Sequence, residues 1–362
     1  MRIVHSLFTN AVGGTERHLA QLANDQARHG HDVTVILRGK RQPYDLEVDP
    51  FLNWLSDQIT LRHAPKCWPF DRWPLPFIAH MLRELKPDII HTHHGRDSRY
   101  LAKAAMGMCP VIGTLHMPYR AKDFKRHQGI ICVSEWQLPS VPTDEGKEVT
   151  VIPNWVKPPD PAKQHLRSTL RDELRLSAGE SLIGAVGRLV PEKGMKELII
   201  AFAKANLPMT RLCIIGEGEQ RPLLEDIIMQ YHISDRVHLV GYRDDIRYCY
   251  DQFDLFAMPS RTEPFGLVLL EAMMAGCPIL STRSEGPSDI LSNNLQVIWA
   301  ECHNADSLQQ ALQAARPVMG ERWVYHELGN HSFERASRAV LRFYETLIEK
   351  HQTHQKGESA VA

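Results

Sequence analysis

Short, nearly unbroken apolar runs alternate with amphipathic stretches along most of the chain. In the first half the runs predict strands at Arg2–Leu7, Asp32–Leu37, Asp88–His93, Val111–His116, Ile130–Ser134 and Val149–Ile152. Helices are predicted between them, including Thr15–His29, Pro76–Leu85 and Ser98–Met106. In the first helix Leu19, Leu22, Ala23 and Ala27 fall near one face, and Gly30 follows as a stop signal. Strands apolar on both faces suit a parallel sheet covered by helices on both sides. Their alternation with helices predicts an α/β, doubly wound, Rossmann-like architecture. The pattern pauses at Pro153–Pro161, where Pro153, Pro158, Pro159 and Pro161 read as a linker. It restarts with strands at Ser181–Val186, Arg211–Ile215, Val237–Val240, Leu255–Met258, Pro278–Ser281 and Gln296–Trp299. Two similar domains are therefore expected, 1–160 and 161–331. A terminal helix over 332–350 should pack back toward the first, and the polar tail 351–362 reads as disordered.

Composition adds limits. With 362 residues, 43% hydrophobic and 23% charged, the chain reads as an ordinary globular protein long enough for two cores. A net charge of −1 gives no argument for a nucleic-acid partner. Basic residues do outnumber acidic ones between Arg62 and Arg126. That face suits either a phosphorylated acceptor or an anionic membrane surface, or is solvated and balanced by the second half. The seven cysteines are scattered with no CxxC pair, a pattern of reduced, buried thiols in a cytoplasmic protein. No run approaches the roughly 18 apolar residues of a membrane span, so any membrane contact is expected to be peripheral.

The candidate chemistry collects after the strands of the second half. Phe253–Gly276 runs from a strand through a polar loop holding Glu263 into a helix containing Glu271. Glu271 is surrounded by Leu267, Val268, Leu269, Leu270, Ala272, Met273 and Met274, and a buried carboxylate needs a polar partner, either ligand hydroxyls or an internal side chain. The backbone N–H groups at Phe265, Gly266 and Leu267 begin that helix and suit an anion such as phosphate; Glu263 either joins that site or caps the helix. Gly184–Gly194, with Gly187, is a strand-to-helix loop whose Arg188 and Lys193 could clamp a diphosphate or pair with Glu192 and Glu197. In Ile214–Glu219, Gly216 and Gly218 beside Glu217 allow a close backbone approach or make a tight turn. Gly13 and Gly14 precede Thr15, a candidate N-cap, and Glu16. His91, His93 and His94 do not read as a metal site, because alternation sends His94 to the opposite face and no carboxylate or cysteine has zinc-like spacing. His116 ends a strand facing the expected interdomain cleft, where a neutral imidazole could bond a sugar hydroxyl or a phosphate, or be a satisfied structural histidine. The aromatics of Cys67–Phe77 either stack on sugars, meet a membrane interface or plug the core.

Together these pieces resemble the retaining glycosyltransferases of the GT-B fold in family 4, which includes many bacterial cell-envelope and lipopolysaccharide sugar transferases. The matching blocks are GGTE at Gly13–Glu16, VSEW at Val133–Trp136, VIPNWV at Val151–Val156, VGRLVPEKG, IIGEGE and EPFGLVLLEAMMAG with its Glu263-x7-Glu271 pair. The resemblance implies that Arg188 and Lys193 hold a donor diphosphate and that Glu271 takes the ribose. It implies that Glu263 contacts the donor sugar beside the Phe265–Val268 backbone, with His116 reaching the sugar and Gly14 bordering phosphates and acceptor. It implies retention, no metal or cofactor, a UDP- or GDP-sugar donor with a saccharide or lipid-linked saccharide acceptor, and a cytoplasmic protein whose peripheral membrane contact would be with the cytoplasmic face of the inner membrane. A departure at Ser284–Asp289, where Glu285 stands for a glycine and Asp289 for a glutamate, bears on the donor sugar. Ser292–Asn294 likewise stands where the family has an Asp-Gly turn. A silent GT-B binding protein, or a GT-B phosphorylase or epimerase, is the rival reading.

Overall fold

The computed structural model describes residues 1–8, 13–38, 51–64, 75–142, 146–158 and 169–361. They form two compact units, Met1–Asn154 with Glu334–Ala362, and Trp155–Phe333. The division therefore falls at Asn154, ahead of the proline-rich segment, and Val156 already bridges to Ser332 inside the second unit.

The first unit is built on β1 (Arg2–Leu7), β2 (Asp32–Arg38), β3 (Thr60–Ala64), β4 (Ile89–Thr92), β5 (Val111–Leu115), β6 (Gly129–Cys132) and β7 (Glu148–Val151). All pair in parallel, in the order β3-β2-β1-β4-β5-β6-β7. Helices α1 (Gly14–Arg28), α2 (Leu75–Leu85), α3 (Gly95–Ala104) and α4 (Ala121–Phe124) are its crossovers. Strand β3 is absent from the sequence prediction for a physical reason: it is an edge strand, TLRHA, in which only Ala64 is buried, so it carries no apolar run.

The second unit holds α5 (Leu170–Glu173), β8 (Ser181–Val186), α6 (Met195–Ala205), β9 (Thr210–Ile215), α7 (Arg221–Gln230), β10 (Val237–Gly241), α8 (Ile246–Cys249), β11 (Leu255–Met258), α9 (Leu267–Met274), β12 (Ile279–Thr282), α10 (Glu285–Ile290), β13 (Ile298–Ala300) and α11 (Ala305–Ala315). Its strands form a six-stranded parallel sheet in the order β10-β9-β8-β11-β12-β13. Ile183, Leu212, Leu255 and Leu280 from the strands meet Leu198 and Phe202 of α6 and Leu308 and Leu312 of α11, all fully buried. Both sheets are doubly wound, so the GT-B expectation of two Rossmann-like domains holds.

Helix α12 (Phe333–Val361) belongs from Glu334 onward to the first unit. Its Tyr344 hydroxyl lies 2.6 Å from His91 Nδ1, Ser337 Oγ donates to Asp25 Oδ2 at 2.6 Å, and Leu347 packs against Gly129. The expectation of a disordered tail from His351 is corrected, because the helix runs through to Val361. Its exposed residues there include Gln352, Gln355 and Lys356, good helix formers that prolong a helix already anchored by packing. Among the described residues Cys109, Cys132, Cys213, Cys249 and Cys277 are buried free thiols and Cys302 is half-buried; Cys67 lies outside them. No helix among the described residues is long and apolar enough to cross a membrane.

Candidate functional site

Strand order reverses between β8 and β11 in the second unit, and between β1 and β4 in the first. Ligands of open α/β sheets bind beyond the carboxyl ends of the strands at such switch points. The loop leaving β8 carries Gly187, Arg188 and Lys193, and the loop leaving β11 carries Glu263. The two loops meet. Lys193 Nζ donates to Glu263 Oε2 at 2.5 Å, with the glutamate side chain almost fully buried. Backbone bonds lock the pairing: Arg261 N donates to Glu192 O at 2.8 Å, and Arg261 also pairs with Glu197. Glu197 is thus occupied elsewhere, and Arg188 is exposed and makes no ion pair among the described residues. The alternative of local surface salt bridges for both cations is not what the fold builds.

Glu263 does not cap the following helix. The N-cap of α9 is Gly266, at φ +108°, with no side-chain cap bond, so its first-turn N–H groups, at Leu267 and Val268, are those that a helix leaves without internal partners. Phe265 is buried beneath them. Glu285, read from sequence only as a departure, accepts from Glu263 N at 3.2 Å and so braces the loop from the start of α10. Gly216 ends β9 beside this loop, and a methyl placed there would stand 1.9 Å from Gly187 O. Glu217 is exposed and paired with Arg221 at 2.8 Å.

Glu271 finds internal partners. Tyr250 Oη donates to its Oε2 at 2.8 Å and Arg247 Nε lies 3.9 Å from Oε1. The carboxylate still borders an opening of about 140 Å³ lined by Val156, Lys157, Arg247, Asp251, Glu271, Met274 and Ala275. Local periodicity could not show these partners, because Tyr250 and Arg247 come from the neighbouring segment.

In the first unit, α1 is capped by Gly13 rather than Thr15: Arg17 N donates to Gly13 O at 3.2 Å, and Gly14 is the first helical residue. Glu16 is buried, 3.7 Å from His94 Nε2. His116 follows β5 and belongs to a cluster that sequence spacing does not display. His5 and His91 are register partners on β1 and β4, and with His93, His18 of α1 and His116 they bring five imidazoles together. Most of the Cys67–Phe77 aromatic segment lies outside the described residues; within them Phe77 is exposed.

Burial holds these rings neutral. Desolvation lowers His5 to about 4 and His18 to about 3, and lowers His91, His93 and His116 well below the ordinary value, with neighbouring imidazoles adding to the shift. His127 is lowered to about 3 by the same burial. Unfolded histidines protonate near 6.5, so below that pH the unfolded chain binds more protons and stability falls as pH drops from 6.5 toward 4 and then 3. Each such imidazole adds up to about 1.4 kcal/mol per pH unit to that slope. Asp97, which burial pushes up to about 6, works in the opposite sense between 3.8 and that value. Urea midpoints at pH 7.5, 5.5 and 4.5 should fall in that order; a flat series would mean that the cluster is not buried as described.

Two parallel doubly wound units with charged loops at their strand switch points have the architecture of the GT-B fold class. The model described as Glycosyltransferase Family 4 matches residues 12–158, and the one described as Glycosyl transferases group 1 matches residues 167–315. The chain therefore carries a glycosyltransferase family 4 domain followed by a glycosyl transferases group 1 domain. It is 28% identical over 357 residues to the lipopolysaccharide core biosynthesis glycosyltransferase LpsE of Rhizobium meliloti, covering 94% of this chain and 98% of that protein. Among solved structures it is similar in fold to Anabaena HepE in complex with UDP and glucose, with a TM-score of 0.78, 19% identity, and coverage of 95% and 99% of the two chains. A glycosyltransferase from Rickettsia africae gives a TM-score of 0.77 at 17% identity, covering 96% and 98%.

Proposed function

We propose that this enzyme transfers a sugar from a UDP- or GDP-sugar to a saccharide or lipid-linked saccharide acceptor of the lipopolysaccharide core or another envelope glycan. The anomeric configuration is retained and no metal takes part in the step. The observation that carries the reading is the switch-point pairing of Lys193 with Glu263 next to an exposed Arg188. The Rhizobium relative's part in lipopolysaccharide core biosynthesis supports the choice of acceptor.

Arg188 and Lys193 bind the diphosphate with the first-turn N–H groups of α9 at Leu267 and Val268, where the helix dipole favours an anion. Gly187, Gly216 and Glu217 border the nucleotide, and Glu271 accepts from the ribose hydroxyls. Glu263, held in place by Lys193, meets the donor sugar's hydroxyls beside Phe265 and Gly266. The bond from the anomeric carbon to the phosphate oxygen breaks, and that oxygen keeps the electron pair. The acceptor oxygen bonds to the anomeric carbon on the same face, and its proton goes to the departing phosphate. Fixed cations aimed at the leaving charge are the main source of acceleration. Within the first unit, the neutral imidazole of His116 suits a sugar hydroxyl, and Gly14, without a side chain, leaves room for a phosphate or the acceptor.

A thermal-shift screen of nucleotide sugars tests this. The true donor raises the melting midpoint, by the equivalent of about 2.7 kcal/mol at a hundredfold excess over its Kd. No shift with any UDP- or GDP-sugar would remove the proposal.

A further inference from the structure

We propose that His18, His93 and His116 form a three-imidazole binding site for a divalent transition ion, Zn²⁺ in the first instance. Their ligand nitrogens all lie within 4.8 Å of one another. His93 Nδ1 and His116 Nε2 are 3.4 Å apart. That separation is long for an N–H···N bond. It matches the edge of a tetrahedron of nitrogens about 2.0–2.1 Å from a central zinc, roughly 3.3–3.4 Å.

The groups behind the ligands suit the same purpose. A metal-binding histidine ordinarily gives its second ring nitrogen to a partner that fixes its tautomer and orientation. His93 Nε2 lies 3.1 Å from His5 Nδ1, and His5 Nε2 lies 2.7 Å from Gln26 Oε1. With the Gln26 carbonyl as acceptor, His5 donates from Nε2 and His93 donates from its own Nε2 to His5 Nδ1. The lone pair of His93 Nδ1 is then left facing His116. His18 and His93 are buried whereas His116 is half-buried, which leaves a way in and a fourth position for water.

The neighbouring triad His5, His91 and His93 is less suited. Both nitrogens of His91 are already engaged, by the Tyr344 hydroxyl at 2.6 Å and Thr114 Oγ1 at 2.7 Å, and all three rings are buried.

Ion binding itself is independent of the transferase reading. Its consequence rests on that reading: an ion on His116 Nε2 withdraws the ring from the sugar, so Zn²⁺ inhibits reversibly and a chelator restores turnover.

Titrating the intact protein with Co²⁺ as a probe should give one equivalent with the intense visible band of a tetrahedral nitrogen/oxygen site, and excess Zn²⁺ should discharge it. His116→Ala should abolish the band. Gln26→Leu should weaken Co²⁺ binding about 10–100-fold. His351→Ala, at a half-buried position near the far end of α12, should leave it unchanged. X-ray absorption of the Zn²⁺-loaded wild type gives a reading free of any folding defect in the variants, and should show about three imidazoles with no sulfur. A band that survives His116→Ala, one lost in His351→Ala, a sulfur shell, or no bound ion overturns the site. Bound ion at His116 with unaltered transfer would instead leave the metal site standing and remove His116 from the sugar-binding role.

Discussion

Replacing Arg188 with alanine should lower kcat by about 10²–10³-fold, the usual cost of removing one donor aimed at transition-state charge. The melting midpoint of the free enzyme should not change. Arg188 separates chemistry from stability because it is exposed and makes no ion pair among the described residues. Lys193 does not separate them, since its removal would strand the buried carboxylate of Glu263 that it satisfies at 2.5 Å. Sugar transfer by the purified variant, compared with wild type at saturating donor, is the measurement. An unchanged rate would count against the whole switch-point assignment.

Gly216→Ala should destabilise the second unit by about 2–4 kcal/mol, among the larger effects of a single substitution. Two causes combine. The residue sits at φ +143°, where a side chain is strained, and the added methyl would stand 1.9 Å from the carbonyl oxygen of Gly187. The nearest atom is backbone, so no rotamer change relieves it. Gly329→Ala is the matched control, because a methyl there meets nothing within 4 Å. Chemical denaturation of both variants should separate them clearly. A Gly216→Ala midpoint equal to that of Gly329→Ala would mean that the β8 and β9 ends do not approach as described.

The buried strands are legible because each is covered on both faces and writes that environment as an apolar run; Ile183, Leu212, Leu255 and Leu280 are examples. Strand β3 is not, because an edge strand can remain polar along its length. Arg188, Lys193 and Glu263 are legible as family motifs in loops that follow strands, and Glu271 as a motif residue of the next helix. Which of them touch is not, since Lys193 and Glu263 lie 70 residues apart and join only when β8 and β11 pair. Tyr250 and Arg247 satisfy Glu271 from an adjoining segment whose own pattern says nothing of a carboxylate. The histidines show the limit most plainly. Alternation carried one residue past β4 puts His91 and His93 together, with ring centroids 4.2 Å apart, but His5, His18 and His116 arrive from β1, α1 and the end of β5. The parallel register of β1 with β4 makes the cluster, and spacing along the chain does not encode it.

The first unit is closed by the final stretch of the chain. Tyr344 and Leu347, both buried, complete a core whose sheet ends almost two hundred residues earlier, at Val151. On the ribosome the amino-terminal half must therefore wait, with the Gln26–His91 surface uncovered, until the carboxyl-terminal segment has left the exit tunnel. Premature termination between Phe333 and Tyr344 would leave a complete second unit attached to an unfinished first one.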